Sequence, residues 1–188
     1  SEEVANNLLL AAGTGVVTFE GPVGQNEKLT SIQVDTAAGV ETKDLMAADT
    51  IALQDAGNVT ISGDIDASDG FVSTGDQFGN TGSITTADAS IQIDHQGPVN
   101  IGAALSSGNA IIDIDSQESV DVGAALTTGD AAIHIDALGP VSIAAPVTSE
   151  NASIRIHSQA AVNIQGELAS ALIASATDAD SATVDDAE

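Results

Sequence analysis

Three aspartates, Asp94, Asp115 and Asp136, stand 21 residues apart, and His157 takes the next position at the same interval. Carboxylates suit hard divalent cations, which gather several charged oxygens. If successive positions stack at the strand spacing of about 4.8 Å, the three aspartates form a ladder that calcium can bridge, and calcium is the only cofactor the chain suggests. Unbridged, neighbouring carboxylates at about 5 Å in water repel by on the order of 1 kcal/mol per pair. The alternative is a solvated acidic face that deters aggregation and requires no cofactor. A second column, Gln92, Asp113, His134 and Arg155, mixes signs and tolerates stacking. A third, Asp88, Asn109, Asp130 and Asn151, alternates charge with amide, so that side chains can hydrogen-bond along it.

Other chemistry has little to stand on. His95, His134 and His157 have no partner at metal-ligand spacing and read as surface or column positions. The chain has no Cys, which removes disulfides, thiolate metal sites and cysteine nucleophiles. There is no G-x-S-x-G elbow, and Gly13 to Gly15 read as a turn between strands because no phosphate-loop Lys or helix follows. The permanent cations are Lys28, Lys43 and Arg155, and Trp and Tyr are absent, so the cationic, aromatic-lined groove of a glycan-acting β-helix enzyme is missing. No catalytic residue and no turnover are expected. The hydroxyl pairs Thr85-Thr86, Ser106-Ser107, Thr127-Thr128 and Thr148-Ser149 are adjacent rather than alternating, which fits turns better than a flat binding array.

What could position such columns is an internal repeat. From Gly97 the chain reads GPVNIGAALSSGNAIIDIDSQ, from Glu118 ESVDVGAALTTGDAAIHIDAL, from Gly139 GPVSIAAPVTSENASIRIHSQ, and from Ala160 a fading copy. Upstream copies are irregular, with the pairs Ile32/Val34, Ile51/Leu53 and Ile91/Ile93 and a weak rung around Phe71. Within a unit the period is two, as in Val99-x-Ile101, Ala103-x-Leu105 and Ala110-x-Ile112-x-Ile114, and Gly97-Pro98, Gly102 and Gly108-Asn109 separate the runs. Three short strands in about 21 residues suit an all-β parallel solenoid of eight or nine coils, a rod about 40 Å long. Ala at inward positions predicts a narrow bore with no room for a ligand.

The 188 residues carry a net charge of -25, which argues against nucleic acid or an anionic membrane surface as a partner. Leu, Ile, Val and Phe make up a quarter of the chain, enough to bury a core. No apolar run approaches the roughly 18 residues of a membrane span, and no basic segment starts a signal peptide. The single Met is Met46, so the chain reads as an excised or processed segment of something longer. An acidic, Cys-free surface fits a secreted protein living in salt.

The strings LLLAAGTGVVTFEGPVGQNEKLTSIQVD and FVSTGDQFGNTGSITTADASIQID, with the GAALSSGNAIIDID and GAALTTGDAAIHID copies, resemble the strand repeats of large bacterial surface proteins related to filamentous haemagglutinins and autotransporter passengers. The resemblance spans residues 7 to 165. It implies a right-handed parallel β-helix, exported to the cell surface or beyond, with no catalytic residue to carry over. Residues 1–170 are then expected to be solenoid, regular over 76–170 and degenerate over 7–75, without an amphipathic capping helix over 1–7. The segment 171–188 is expected to be an acidic tail or linker. The expected function is a structural or adhesive rod that meets a host-surface or matrix glycan or protein, with a self-assembling fibre subunit stacked end to end as the alternative and a glycan-acting enzyme a remote third.

Overall fold

The computed structural model describes residues 6–170, and beyond them the backbone of the strands Leu172–Thr177 and Ala182–Val184. The chain winds as a parallel β-solenoid of about eight turns with about 21 residues per coil, and no described residue is helical. A regular coil has three strands, for example Val99–Ile101, Leu105–Ser107 and Ile112–Ser116. Each pairs in parallel with its counterparts one coil before and one coil after, so that Ile112 lies beside Ile91 and Ile133 without slippage.

Strand periodicity decides what fills the bore, because alternate side chains face opposite ways. The aliphatic inward columns are Ile91, Ile112, Ile133 and Ile154; Ile93, Ile114, Ile135 and Ile156; Val99, Val120, Val141 and Val162; Ile101, Val122, Ile143 and Ile164; and Ile84, Leu105, Leu126 and Val147. All are buried. Each fully buried aliphatic side chain contributes roughly 2 kcal/mol by leaving water. This corrects the expectation of an alanine-lined bore: Ala103 and Ala110 sit half-buried outside the strands, and branched aliphatics fill the interior. Small residues do face inward in a few places, as at Ala48 and Ala67 and in the row of Ser116, Ala137 and Ser158, beside the rows of branched aliphatics.

The hydroxyl pairs lie in strands rather than in the turns their adjacency suggested, each pair ending a three-residue strand whose first hydroxyl stacks in register with those of the neighbouring coils. The second member of each, Thr86, Ser107, Thr128 and Ser149, points inward and is buried. Thr86, Ser107 and Thr128 donate to the carbonyl three residues on, at Ala89, Ala110 and Ala131. Ser149 donates to Ala131 O of the preceding coil and accepts from Ala152 N. A hydroxyl thus satisfies the backbone where the strand ends and the chain bends inward. Gly13 adopts φ 57°, closing the turn between Asn7–Leu10 and Val16–Phe19.

The N-terminal half keeps the same columns with unequal coils. From Leu8 to Ile32 the spacing is 24 residues, from Ile32 to Ile51 it is 19, and from Ile51 to Phe71 and Phe71 to Ile91 it is 20. The extra residues of the first coil lie in its turns and irregular stretches between Leu10 and Leu29, whereas two long strands, Met46–Ile61 and Ile65–Asn80, run through the later bends with register shifts at Ala48/Thr50 and Leu53/Ala56. Phe71 is fully buried between Ile51 and Ile91, so the rung that looked weak is a complete one. The segment expected as tail contains Leu172–Thr177, paired in parallel with Ser153–Ser158, and Ala182–Val184, paired with Val162–Ile164. The rest of 171–188, and the capping-helix expectation at residues 1–5, lie outside the described residues.

Candidate acidic ladder

The strands Ile91–His95, Ile112–Ser116, Ile133–Ala137 and Ser153–Ser158 lie side by side on one flank. Because their Ile pairs point inward, the residues between and after them point out. The register places Asp94, Asp115, Asp136 and His157 in one outward column, and Gln92, Asp113, His134 and Arg155 in the other. A shallow groove runs along the first column, lined by Asp94, Asp115 and Asp136 with Gln117 and Leu138.

Charge on this flank is graded along the rod. Asp136 Oδ2 accepts from Arg155 Nη1 at 3.1 Å, and its Oδ1 lies 3.0 Å from His157 Nδ1. His134 Nδ1 lies 3.9 Å from Asp113 Oδ1. Asp115 is half-buried among like charges, and its carboxyl is held above the usual range by burial first and then by Asp113, Asp136 and Asp94, with His134 opposing. The three aspartates are aligned one per coil rather than converging on a point. Among the described residues no group of three or more His, Cys, Asp or Glu could together hold a metal ion. The arrangement open to a cation is therefore bridging between adjacent rungs.

Asp115→Asn is expected to stabilise the rod by about 0.5 kcal/mol at neutral pH, the scale of a like-charge pair across strands. The sign follows from the raised carboxyl: its ionised form disfavours the fold, so stability should rise as pH falls through the folded-state value towards the unfolded one. Urea unfolding of both proteins in NaCl at pH 7 checks it. A variant less stable than the parent would mean that Asp115 is held by a favourable partner.

The amide column behaves as expected. Asn109 donates from both its backbone N–H and Nδ2 to Asp88 Oδ1, at 3.1 and 3.0 Å, and Asn151 Nδ2 donates to Asp130 Oδ1. The cations are all engaged. Lys28 lies 3.2 Å from Asp66 and 4.0 Å from Asp49, Lys43 lies 2.6 Å from Glu20, and Arg155 holds Asp136.

His134 and His157 stand in the outward columns, but His95 does not. It is fully buried, with Nε2 3.0 Å from Ser73 Oγ and Nδ1 without a hydrogen-bond partner. Its ring packs against Phe78 at 5.5 Å between centroids, and Phe78 meets Phe71 edge-on at 6.4 Å. Ser73 occupies a column otherwise filled by Leu53 and Ile93, and the imidazole of the next coil reaches back into the space left by the missing methyls. The signal was a small residue where the apolar pair should be, with a large one 22 residues on.

Fold and flank together define the class: a parallel β-solenoid repeat protein with an open, acidic, mixed-sign face. No family model, no curated protein and no solved structure matches the chain.

Proposed function

We propose that the chain is a non-catalytic, exported rod, a stalk or matrix segment of a large bacterial surface protein of the type its repeats resemble. The observation that carries this reading is the solid aliphatic bore beneath a flat, acidic exterior on which every permanent cation is already paired. Such a surface keeps rods soluble and apart, and it offers neighbours only what an extended face can: edges, hydroxyls and carboxylates. Contact with a host-surface or matrix glycan or protein is consistent with it. A polysaccharide-cleaving enzyme would need a groove that excludes water around its acid and base, and the Asp94–Asp115–Asp136 channel is shallow.

End-to-end fibre assembly is the second reading, favoured by Leu9 and Val16, which are 63% and 56% exposed on strands that pair on one side only among the described residues. Size-exclusion chromatography with negative-stain imaging separates the two. Discrete rods about 40 Å long are expected from about eight coils at the strand spacing, and filaments would replace the stalk by the fibre. Calcium bridging of Asp94, Asp115 and Asp136 is the finer form of the proposal. At equal ionic strength CaCl₂ should then raise the melting temperature more than NaCl, and Asp115→Asn should cancel the difference; identical curves leave a solvated face.

A further inference from the structure

Two tripeptides in the chain have the Asn-x-Ser/Thr form, Asn58-Val59-Thr60 and Asn151-Ala152-Ser153. In an exported protein this form marks an asparagine that can accept a glycan, provided the finished fold leaves room for it. The solenoid treats the two sites differently. Asn58 and Thr60 lie in Met46–Ile61 with Val59 and Ile61 facing the bore, so both project outward, and both are exposed. Neither side chain makes a hydrogen bond among the described residues. Along the rod, Asn58 is flanked by Gly39 and Gln77, and Thr60 by Glu41 and Gly79. Gly39 has a packing reason, because a Cβ there would come within 3.0 Å of Asn58 O. Gly79 has none. Its φ is ordinary, and a Cβ would meet nothing closer than 4.0 Å, yet glycine within a strand costs stability. Its effect is to leave the surface bare on one side of Thr60, as Gly39 does on one side of Asn58. Asn151 is exposed too, but it sits in a bend with Nδ2 held by Asp130 of the preceding coil, and a sugar there would have to share that nitrogen with a bond that ties coils together.

We propose that Asn58 is an N-glycan acceptor and that Asn151 is not, a proposal that rests on the exported reading above. In the modification, Asn58 Nδ2 forms a bond to C1 of the first sugar of a polyprenyl-phosphate-linked oligosaccharide. The C1–O bond to phosphate breaks, the phosphate leaves with the electron pair, and the proton lost by the amide passes to the transferring enzyme's base. The glycan then stands on the flank of the N-terminal half, away from the acidic ladder.

The test recovers the full chain from the surface and cytoplasmic fractions of the cell that makes it. Cleavage before Asp55 and Asp64 isolates residues 55–63, with Asn58 as the only acceptor. Mass spectrometry should find this peptide carrying hexose-type increments in the surface fraction. The increments should vanish in Thr60→Val, which keeps Asn58 and the strand but removes the hydroxyl, and the peptide containing Asn151 should be bare. Surface-recovered chain with unmodified Asn58, or with sugar on Asn151 alone, overturns the assignment while leaving the exported rod intact. Recovery from the cytoplasm alone overturns the exported reading and the glycan with it.

Discussion

Ile133→Asp is expected to lower the melting temperature by at least about 10 °C, whereas the same residue introduced at Thr127 should leave it nearly unchanged. Ile133 is fully buried, in register between Ile112 and Ile154. The substitution removes an aliphatic side chain worth 2 to 5 kcal/mol in the core, on the order of a large-to-small truncation, and puts a carboxylate among methyl groups with no partner. A loss of about 4 kcal/mol or more converts to that shift for a chain of this size. Thr127 faces outward one strand earlier and is exposed, so an aspartate there stays in water. Thermal unfolding followed by far-UV circular dichroism measures both. Ile133→Val, expected to cost about 1 kcal/mol, calibrates the scale. If Ile133→Asp melts no lower than Ile133→Val, the column does not face the interior and the architecture fails.

Acid should weaken the rod through one side chain well before most carboxylates titrate. Burial pushes the His95 imidazole down to about 4, against a mild upward pull from Asp76, while in the unfolded chain it returns to about 6.5. The neutral ring is the form that the fold accepts. Its stabilisation is complete above pH 6.5 and is lost as pH falls from about 6.5 towards 4, because only the unfolded chain binds the proton in that window. The full window is worth roughly 3 kcal/mol, of which about 2 should be gone by pH 5. Asp115 works in the opposite direction, so the net decline is smaller than His95 alone would give. His95→Ser repeats what stands in the same column at Ser116 and Ser158 and removes the titration. Its stability at pH 7 should be lower, but the fall between pH 7 and 5 should shrink by about 2 kcal/mol in urea titrations. Parallel pH profiles for the two proteins would show that His95 is protonated as freely in the fold as outside it.

The regular half of the fold was legible because stacking identical coils repeats every decision. The Ile pair at 112 and 114 recurs at 133 and 135 and at 154 and 156, so inward, outward and turn positions each leave a column of like residues in the sequence. That is also why the acidic ladder and its mixed-sign neighbour are legible in the sequence alone. The columns did not reveal which carboxylate is held by what. Arg155 meets Asp136 diagonally, one coil back and one column across, and register alone does not choose between that aspartate and any other within reach of a long side chain. The irregular half was harder because the first coil of 24 residues is lengthened by turns and irregular stretches, while the following coils of 19 and 20 residues run through their bends in two long strands without marking them. The aromatic seam was invisible for a physical reason: Ser73 and His95 make sense only as a volume exchange between neighbouring coils, and neither is apolar enough to count in a periodicity.

The hydrogen bonds between coils run along the rod, since every strand lies across it and pairs with the strand above and below. Tension applied to the two ends therefore loads these bonds in peeling rather than in shear. It meets them one coil at a time instead of all at once. Each regular coil that detaches gives up about 4.8 Å of rod and releases 21 residues of chain, roughly 70 Å when drawn out. Under load the rod would lengthen stepwise, dissipating work at each step while the remaining coils stay folded.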